Sequence, residues 1–153
     1  MEITQRTAAA EDAAVLLMWR NGAGARQFSQ NSDPISIDEH TGWFISRLTR
    51  SKGEPFSFFE SDNNLIGMSR LDFVPGSDNK YEISVLVDPD HYGKGFGTRI
   101  LNMTCENFLI SQPKKTIVAR VHIRNIISQR LFKNAGFVFL LQEGDFLTYE
   151  KTN

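Results

Sequence analysis

Three glycines at alternate positions, Gly93, Gly95 and Gly97, lie between a run typical of a buried strand (residues 80–87) and a run with helical apolar spacing (residues 98–109). Glycine lacks a Cβ, so the backbone of such a segment can come close to a bound anion. The free N–H groups and the dipole of the following helical turn point toward that anion. The sequence therefore predicts a phosphate-binding loop and a phosphorylated cofactor.

The spacing of these glycines separates the known kinds of phosphate loop. A dinucleotide fingerprint reads G-x-G-x-x-G and a nucleoside-triphosphate loop reads G-x-x-x-x-G-K-[ST], and residues 92–98 fit neither. The segment resembles the pyrophosphate loop of the GCN5-related N-acetyltransferases (GNAT), usually [QR]-x-x-G-x-G after a strand that ends in V-x-P, here Val87-Asp88-Pro89. Tyr92 stands where that family has Gln or Arg, which removes one side-chain contact and leaves the backbone cradle. A glycine-rich turn into a helix, with no ligand, is the alternative.

A second motif lies at residues 125–137 and resembles the GNAT helix N-x-x-[SA]-x-x-[LF]-[YF]-x-x-x-G-F. Ile127 and Leu131 are expected to face a core, and Gly136 is expected to give the helix a left-handed C-cap. Asn125 has two open roles, a contact to a pantetheine amide and an N-cap. Two motifs in the family order favour an acetyl-CoA-binding protein over a coincidence.

The resemblance implies acetyl-CoA as the co-substrate and an N-acetyltransferase activity. Its pyrophosphate is expected on the N–H groups of the glycine loop, and its pantetheine arm is expected beside the backbone of the preceding strand. The predicted cofactor-binding residues are Leu86, Val87, Tyr92, Gly93, Lys94, Gly95, Phe96, Gly97, Thr98, Asn125 and Phe132.

Acetyl transfer to an amine also needs a group that accepts the amine proton. In the predicted strand, Glu82 shares one face with Ser84 and Leu86, because alternate residues of a strand point the same way. Many GNAT acetyltransferases carry a glutamate at this place. Glu82 is therefore the candidate base, and a solvated or paired surface glutamate is the alternative.

The proton for the leaving thiolate has no obvious source. The usual GNAT acid is a tyrosine at the position of Phe132, and phenylalanine has no proton to give. Tyr149, Tyr92 or a water would supply the proton, or the thiolate leaves unassisted because its pKa is about 8.5. Tyr149 is taken as the second catalytic residue.

Two patterns in the first fifty residues concern the acceptor. Residues 19–21 (W-R-N) and 35–44 resemble patterns of bacterial acetyltransferases that acylate the 4-amino group of nucleotide-linked amino sugars, as in pseudaminic acid biosynthesis. The same residues also fit a plain account, a capping box followed by core aromatics. The predicted substrate-binding residues are Arg20, Asn21, His40 and Trp43, and the arginines considered for a substrate pyrophosphate are Arg20, Arg26, Arg47 and Arg50.

The acceptor is therefore expected to be a small amine, in the first place a nucleotide-linked amino sugar. A protein N-terminus, as in ribosomal-protein acetyltransferases, is the enzyme alternative. A CoA-binding module without catalysis is the third reading, which the phenylalanine at position 132 favours and Glu82 opposes.

The elements predicted along the chain follow the order βααββ(β)αβαββ, which is the order of the GNAT fold. The expected class is α+β, one domain over residues 1–153, with a mixed, largely antiparallel sheet splayed between the fourth and fifth main strands and helices on both faces. The predicted strands are 3–6, 56–60, 65–73, 80–87, 116–121, 137–142 and 145–150. Thr7 is expected to cap the first helix, whose apolar stripe would be Ala14, Val15, Met18 and Trp19. Ser36 is expected to cap the second.

Composition narrows the partners. The chain has 153 residues, 41% of them hydrophobic, and 17 basic against 18 acidic residues give a net charge of −1. No strong field attracts nucleic acid or a membrane surface, and no apolar run approaches the roughly 20 residues that span a bilayer. The start lacks a basic signal region, so we expect a cytoplasmic monomer or homodimer.

Two further residue types carry little chemistry. Cys105 is the single cysteine and lies on an apolar stripe, which favours a buried inert thiol over a catalytic one. His40 and His122 lack ligand spacing, so no metal site is expected.

Overall fold

The computed structural model describes residues 1–29, 33–50 and 53–153. Two 3-10 turns, Ala10–Asp12 and Pro89–His91, precede the first helix and the glycine loop. The elements in chain order are β1 (Thr4–Thr7), α1 (Ala13–Arg20), α2 (Ala23–Gln27), α3 (Ile37–Leu48), β2 (Phe56–Ser61), β3 (Asn64–Phe73), β4 (Lys80–Val87), α4 (Phe96–Ser111), β5 (Thr116–His122), α5 (Ile126–Asn134), β6 (Val138–Glu143) and β7 (Phe146–Lys151).

One sheet contains all seven of these strands, in the order β1-β2-β3-β4-β5-β7-β6. Every neighbouring pair is antiparallel except β4 and β5, which are parallel. That pair extends only from Lys80↔Thr116 to Glu82↔Val118, and both strands then continue without pairing to each other. The predicted fold class and the splay between the fourth and fifth strands are therefore confirmed, and Glu82 lies at the point where the strands separate.

The two faces of the sheet carry different helices. On one face α1 and α3 cover the strands β2 and β3, where Leu16, Trp19, Phe44 and Met68 form a buried cluster. On the other face lie α4 and α5. The predicted stripe of α4 is buried throughout, at Ile100, Leu101, Thr104, Cys105, Phe108 and Leu109.

The helix α4 approaches β3 closely at Gly67. A Cβ at this position would lie 2.6 Å from the Leu86 carbonyl oxygen and 2.7 Å from the Ile100 Cδ1 atom. Both distances are shorter than any normal contact of a Cβ atom, so only glycine fits between the helix and the neighbouring strand.

The start of the first helix differs from the prediction. The chain enters α1 through the 3-10 turn, and the Asp12 carboxylate, rather than Thr7, satisfies the free backbone there. It accepts hydrogen bonds from the Ala9 N–H group and from two Arg6 nitrogens, each at 2.8 Å. These bonds hold the pKa of Asp12 below its usual value although its burial opposes them.

The buried faces of two helices are also displaced from the expected ones. In α1, Met18 is 66% exposed while Leu16 and Trp19 are buried, because almost every residue there is apolar and the period is ambiguous. In α5, Ile127 is 82% exposed. The inner face of α5 follows the spacing Ser128, Leu131, Phe132 and Ala135, which leaves Ile127 outside.

The remaining local predictions are confirmed. Ser36 caps α3 by accepting a hydrogen bond from the Glu39 N–H group at 3.2 Å. Asp62 and Asn63 form the β2–β3 turn with positive φ, and Gly136 follows α5 with φ +91°. Across the described ranges, no helix combines the length and the apolar character needed to cross a membrane.

Candidate active site at the splayed strands

A cleft of about 690 Å³ opens where β4 and β5 separate. Its floor is the sheet face of β3, β4 and β5 that carries Glu82, and its wall comes from α1, α2 and α3. Four arginines line it, namely Arg20, Arg26, Arg70 and Arg120, together with the acids Asp33, Glu39 and Glu82. The cleft is therefore strongly polar, with its charges supplied by separate elements.

Glu82 lines the cleft and is half-buried. Burial raises the pKa of its carboxyl and nearby Asp72 adds to the effect, while Arg120 and Arg70 oppose it. Within the described ranges no residue gives this carboxylate a hydrogen bond or an ion pair. A desolvated carboxylate with free oxygens in a cleft is suited to accept a proton.

The glycine loop forms an open cradle at the start of α4. Gly93 and Gly95 have φ values of +76° and +80°, and a Cβ at either position would meet nothing within 4 Å. Gly95 is the N-cap of α4, so the free N–H groups of the first turn lie directly beside this space. The loop therefore fits a pyrophosphate, as expected of acetyl-CoA.

The other predicted loop residues have distinct environments. Phe96 is only 3% exposed and packs against Ile100, so its side chain anchors the loop and only its backbone faces a ligand. Lys94 and Thr98 are exposed, and Gly97 packs against Val87.

Two predicted pantetheine contacts line the cleft. Asn125 accepts a hydrogen bond from the Ser128 N–H group at 3.2 Å and is thus the N-cap of α5. Phe132 packs against Phe137 with ring centroids 5.1 Å apart while it also lines the cleft. Leu86 is on the cleft floor as well.

On the acceptor side, Trp43 lies beside two guanidinium groups. The Arg20 and Arg70 Cζ atoms are 4.8 Å and 5.0 Å from the centroid of its rings. All three side chains line the cleft, so the structure brings the predicted residues Arg20 and Trp43 together. Trp43 is half-buried and is not a pure core residue.

Asn21 and His40 both hydrogen-bond to other elements, and His40 also lines the cleft. The Asn21 amide donates to the Ile35 carbonyl at 2.9 Å and accepts from its N–H group at 2.7 Å. His40 is 1% exposed and donates from Nε2 to the Ala13 carbonyl at 2.7 Å. Burial lowers the pKa of His40, and Arg20 contributes in the same direction. These bonds position α1 against α3 and against the segment before α3, and the predicted substrate contacts of the two residues stay predictions.

A model of the family described as the acetyltransferase (GNAT) domain matches residues 3–138. The chain belongs to the GNAT acetyltransferase family.

Individual relatives agree with this assignment. Over 115 residues the chain is 28% identical to the L-amino acid N-acyltransferase MnaT of Escherichia coli (strain K12), a match that covers 73% of this chain and 65% of that protein. The structure of yncA from Salmonella typhimurium with its cofactor acetyl-CoA superimposes with a TM-score of 0.81 at 23% identity, over 99% of this chain and 94% of that one. A ribosomal-protein-alanine N-acetyltransferase from Brucella melitensis superimposes with a TM-score of 0.80 at 21% identity, over 98% and 99% of the two chains.

The predicted acid, Tyr149, lies away from the cleft. Its side chain is 1% exposed, packs in the core on the α4 side and contacts Phe139. This position does not support its predicted role as a catalytic residue, because β7 directs the side chain toward the core. Tyr92 is 52% exposed, its hydroxyl lies near Gly24, and burial raises its pKa.

Two of the arginines considered for a substrate phosphate belong to the scaffold. Arg47 is fully buried and its Nε donates to the Asp72 carboxylate at 2.7 Å, with further bonds to the Pro55 and Leu71 carbonyls. Arg50 lies 3.7 Å from the Glu54 carboxylate. The cleft uses Arg20 and Arg26 instead.

Three further residues that line the cleft, Arg70, Arg120 and His122, are not among the predicted site residues. Arg70 offered one signal, since it is a charged residue within the otherwise buried run of β3. Arg120 and His122 come to the cleft through the pairing of Glu82 with Val118, which places them on the same sheet face. Over the described ranges, no group of three or more His, Cys, Asp or Glu side chains could hold a metal ion.

Proposed function

We propose that this GNAT protein transfers the acetyl group of acetyl-CoA directly to a primary amine of a small acceptor, with Glu82 as the general base. The observation that carries the proposal is the position of Glu82, which lines the cleft where β4 and β5 separate and faces the acceptor wall. The raised pKa of its carboxyl supports the same role.

The chemistry needs few groups from the protein. The amine nitrogen forms a bond to the thioester carbonyl carbon and loses a proton, which Glu82 accepts directly or through a water. The backbone N–H group of Val87, which faces the gap, is proposed to stabilise the oxyanion, whereas the N–H group of Leu86 is directed toward β3. The carbon–sulfur bond then breaks, and the thiolate leaves and takes up a proton from water.

The absence of a tyrosine at position 132 fits this path. Phe132 supplies an apolar surface for the pantetheine, and no tyrosine of the core replaces the family acid. A thiol with a pKa of about 8.5 is a good leaving group near neutral pH, so acid help is dispensable. The pH dependence of turnover is therefore expected to follow the deprotonation of the base, Glu82.

A nucleotide-linked amino sugar is the acceptor that we propose. The W-R-N and residue 35–44 patterns support it, since Arg20 and Trp43 both line the cleft. An amino acid is a competing small acceptor, because one relative is an L-amino acid N-acyltransferase. A protein N-terminus is the competing macromolecular acceptor, because one structural neighbour is a ribosomal-protein-alanine N-acetyltransferase.

A thiol-release assay with acetyl-CoA tests the proposal. The panel contains nucleotide-linked amino sugars, free amino sugars, amino acids and peptides with free N-termini, and mass spectrometry confirms the acetylated product. We expect turnover with a small amine and a large loss of turnover in Glu82→Gln. Release of thiol only with peptides would support the protein alternative, and no release with any amine would overturn the enzyme proposal.

A further inference from the structure

The acceptor wall holds two cations next to each other. Arg20 and Arg70 both contact the rings of Trp43, and the two guanidinium groups lie close enough for each charge to act on the other. Burial lowers the pKa of Arg20, and the charge of Arg70 lowers it further. Two like charges in a partly desolvated wall are costly unless an opposite charge compensates them.

The carboxylates of the described residues compensate only one of the two. Arg70 forms an ion pair with Asp72, and the same carboxylate also receives the Nε–H of Arg47. Arg20 has no carboxylate partner within the described ranges, and its guanidinium group lies over the rings of Trp43. The wall therefore has an excess positive charge that faces the cleft.

The surrounding groups are suited to an oxyanion. Ser84 is the cross-strand partner of Arg70 and also lines the cleft, so a hydroxyl donor lies beside the two guanidinium forks. Asp72 holds the guanidinium group of Arg70, and Trp43 contacts the guanidinium groups of both arginines. These contacts reduce the side-chain entropy that the arginines lose when they bind an anion. Planar forks of this kind match the geometry of carboxylate and phosphate oxygens.

The distance to the base limits the size of the ligand. Asp72 is the cross-strand partner of Glu82. Arg70, two residues before Asp72, is therefore the diagonal neighbour of Glu82, and such neighbours have Cα atoms about 7–8 Å apart. An anion on Arg70 and an amine on Glu82 can therefore belong to one small molecule. Two cations in the wall would in contrast repel an acceptor whose other groups are amines.

We propose that Arg20 and Arg70 form a subsite for an oxyanion of the acceptor, a carboxylate or a phosphate, while the reacting amine lies at Glu82. This inference rests on the proposed acetyl transfer and narrows its acceptor to amines that carry an acidic group. It excludes polyamines and neutral amines as good substrates.

Matched acceptor pairs test the subsite. One pair is an α-amino acid and its carboxamide, and the other is an amino sugar phosphate and the unphosphorylated sugar, with kcat/KM from thiol release as the readout. We expect the acidic member of at least one pair to be better by about 10- to 100-fold, the effect of one or two charge-assisted hydrogen bonds. The pair that shows the difference identifies the oxyanion as a carboxylate or a phosphate.

The variant Arg20→Gln should reduce this difference to near unity by lowering kcat/KM for the acidic member alone. Arg20→Lys should restore part of it, because the charge returns without the fork. Arg130→Gln is the control, since Arg130 is exposed on α5 and is not a cleft residue. Acidic and neutral members that react equally well, or a difference that survives in Arg20→Gln, would overturn the subsite while acetyl transfer stands.

A binding measurement separates the two proposals if no acceptor reacts. In the CoA-saturated protein, inorganic phosphate and pyrophosphate should raise the melting temperature of the wild type more than that of Arg20→Gln. Such a shift without turnover would overturn the enzyme proposal and keep the oxyanion subsite. Equal shifts in the two proteins would overturn the subsite.

Discussion

The pyrophosphate cradle, which is called the cofactor half of the site below, is one continuous segment made of the loop of residues 92–98 and the start of α4. The acceptor half, in contrast, consists of cleft side chains from four elements. The cofactor half presents backbone N–H groups and needs glycine conformations. The acceptor half presents charged and aromatic side chains, Arg20, Trp43, Arg70 and Glu82. Backbone recognition can thus be local in sequence, while side-chain recognition depends on how strands and helices are paired. Substitutions in one half should leave binding in the other half unchanged.

The largest effect is expected in the acceptor half, from Glu82→Gln. Glutamine keeps the size of the side chain but cannot accept the amine proton, so kcat should fall by roughly 10²-fold or more while acetyl-CoA affinity is unchanged. In the wild type, kcat should rise with pH through the raised pKa of Glu82, without a fall at high pH from a tyrosine acid. Glu106→Gln, on the exposed surface of α4, is the control. A wild-type kcat in Glu82→Gln across the pH range would remove the base assignment.

The corresponding test of the cofactor half is Gly95→Asp. The new carboxylate would occupy the open cradle and repel the pyrophosphate, so calorimetry should find a severe loss of acetyl-CoA affinity. Gly144→Asp is a matched control, because Gly144 also has a positive φ, +57°, and open space around it, in the β6–β7 turn. Both changes should cost about 1 kcal/mol of stability. Equal acetyl-CoA affinities in the two variants would contradict the loop assignment.

Two neighbouring aromatics of α3 separate structural from acceptor effects. Phe44 is fully buried, so Phe44→Ala should cost about 3–5 kcal/mol in unfolding free energy. Trp43→Ala should cost less, about 1–2 kcal/mol, since the ring is only half-buried and divides its contacts between the two arginines and the core rings of Phe44 and Phe56. The acceptor KM should rise in Trp43→Ala and stay normal in the folded fraction of Phe44→Ala. A KM that is unchanged in Trp43→Ala would leave that residue only a structural role.

A smaller effect concerns stability and pH. The pKa of Glu82 is raised in the folded protein, so the folded state binds its proton more tightly than the unfolded state, and stability from this group falls as pH rises from about 4.5. Glu82→Gln should therefore melt at a higher temperature than the wild type at pH 7. The difference in melting temperature should shrink as the pH is lowered toward about 4.5. Thermal unfolding at several pH values measures it. A variant less stable at pH 7 would indicate that the carboxylate is well paired.

The smallest effect is expected from Cys105→Ser, which tests for a covalent acetyl-cysteine. Cys105 lies on the buried face of α4 and is 2% exposed, and burial raises the pKa of its thiol to about 12, so it supplies no thiolate. Turnover per folded molecule should equal that of the wild type, with a modest loss of stability. Loss of turnover in a folded variant would contradict direct attack by the amine.

The parts of the molecule that sequence could predict are those in which local residues decide the structure. The buried stripe of α4, the glycine loop and the β2–β3 turn all depend on spacing within one segment, whereas the splay is implied by the resemblance to the GNAT fold. Asn125 illustrates a limit of such reasoning, because the cap and the pantetheine contact use the same side chain and both place it at the cleft.

The rest depends on pairing between distant segments. Arg70 enters the site because β3 and β4 pair in one register, and a shift of one residue would move it to the other face. Tyr149 was assigned by residue type alone, and its strand directs it into the core. In the nearly all-apolar helix α1, no polar residue marked the outer face, so the buried set could not be fixed from the sequence.

Because Gly67 has no Cβ atom, the helix α4 can lie close to the sheet at this position, and this contact sets the spacing between the cofactor half and the acceptor half. Gly67 lies against Ile100 of the cofactor helix on one side and the Leu86 carbonyl of the β4 strand on the other. Replacing it by alanine would act as a wedge between them and move the loop away from Glu82 without altering either group. The distance between the cofactor loop and Glu82 is therefore set by backbone packing at Gly67. Catalysis should tolerate a polar substitution at the edge of the cleft better than one carbon atom added at Gly67.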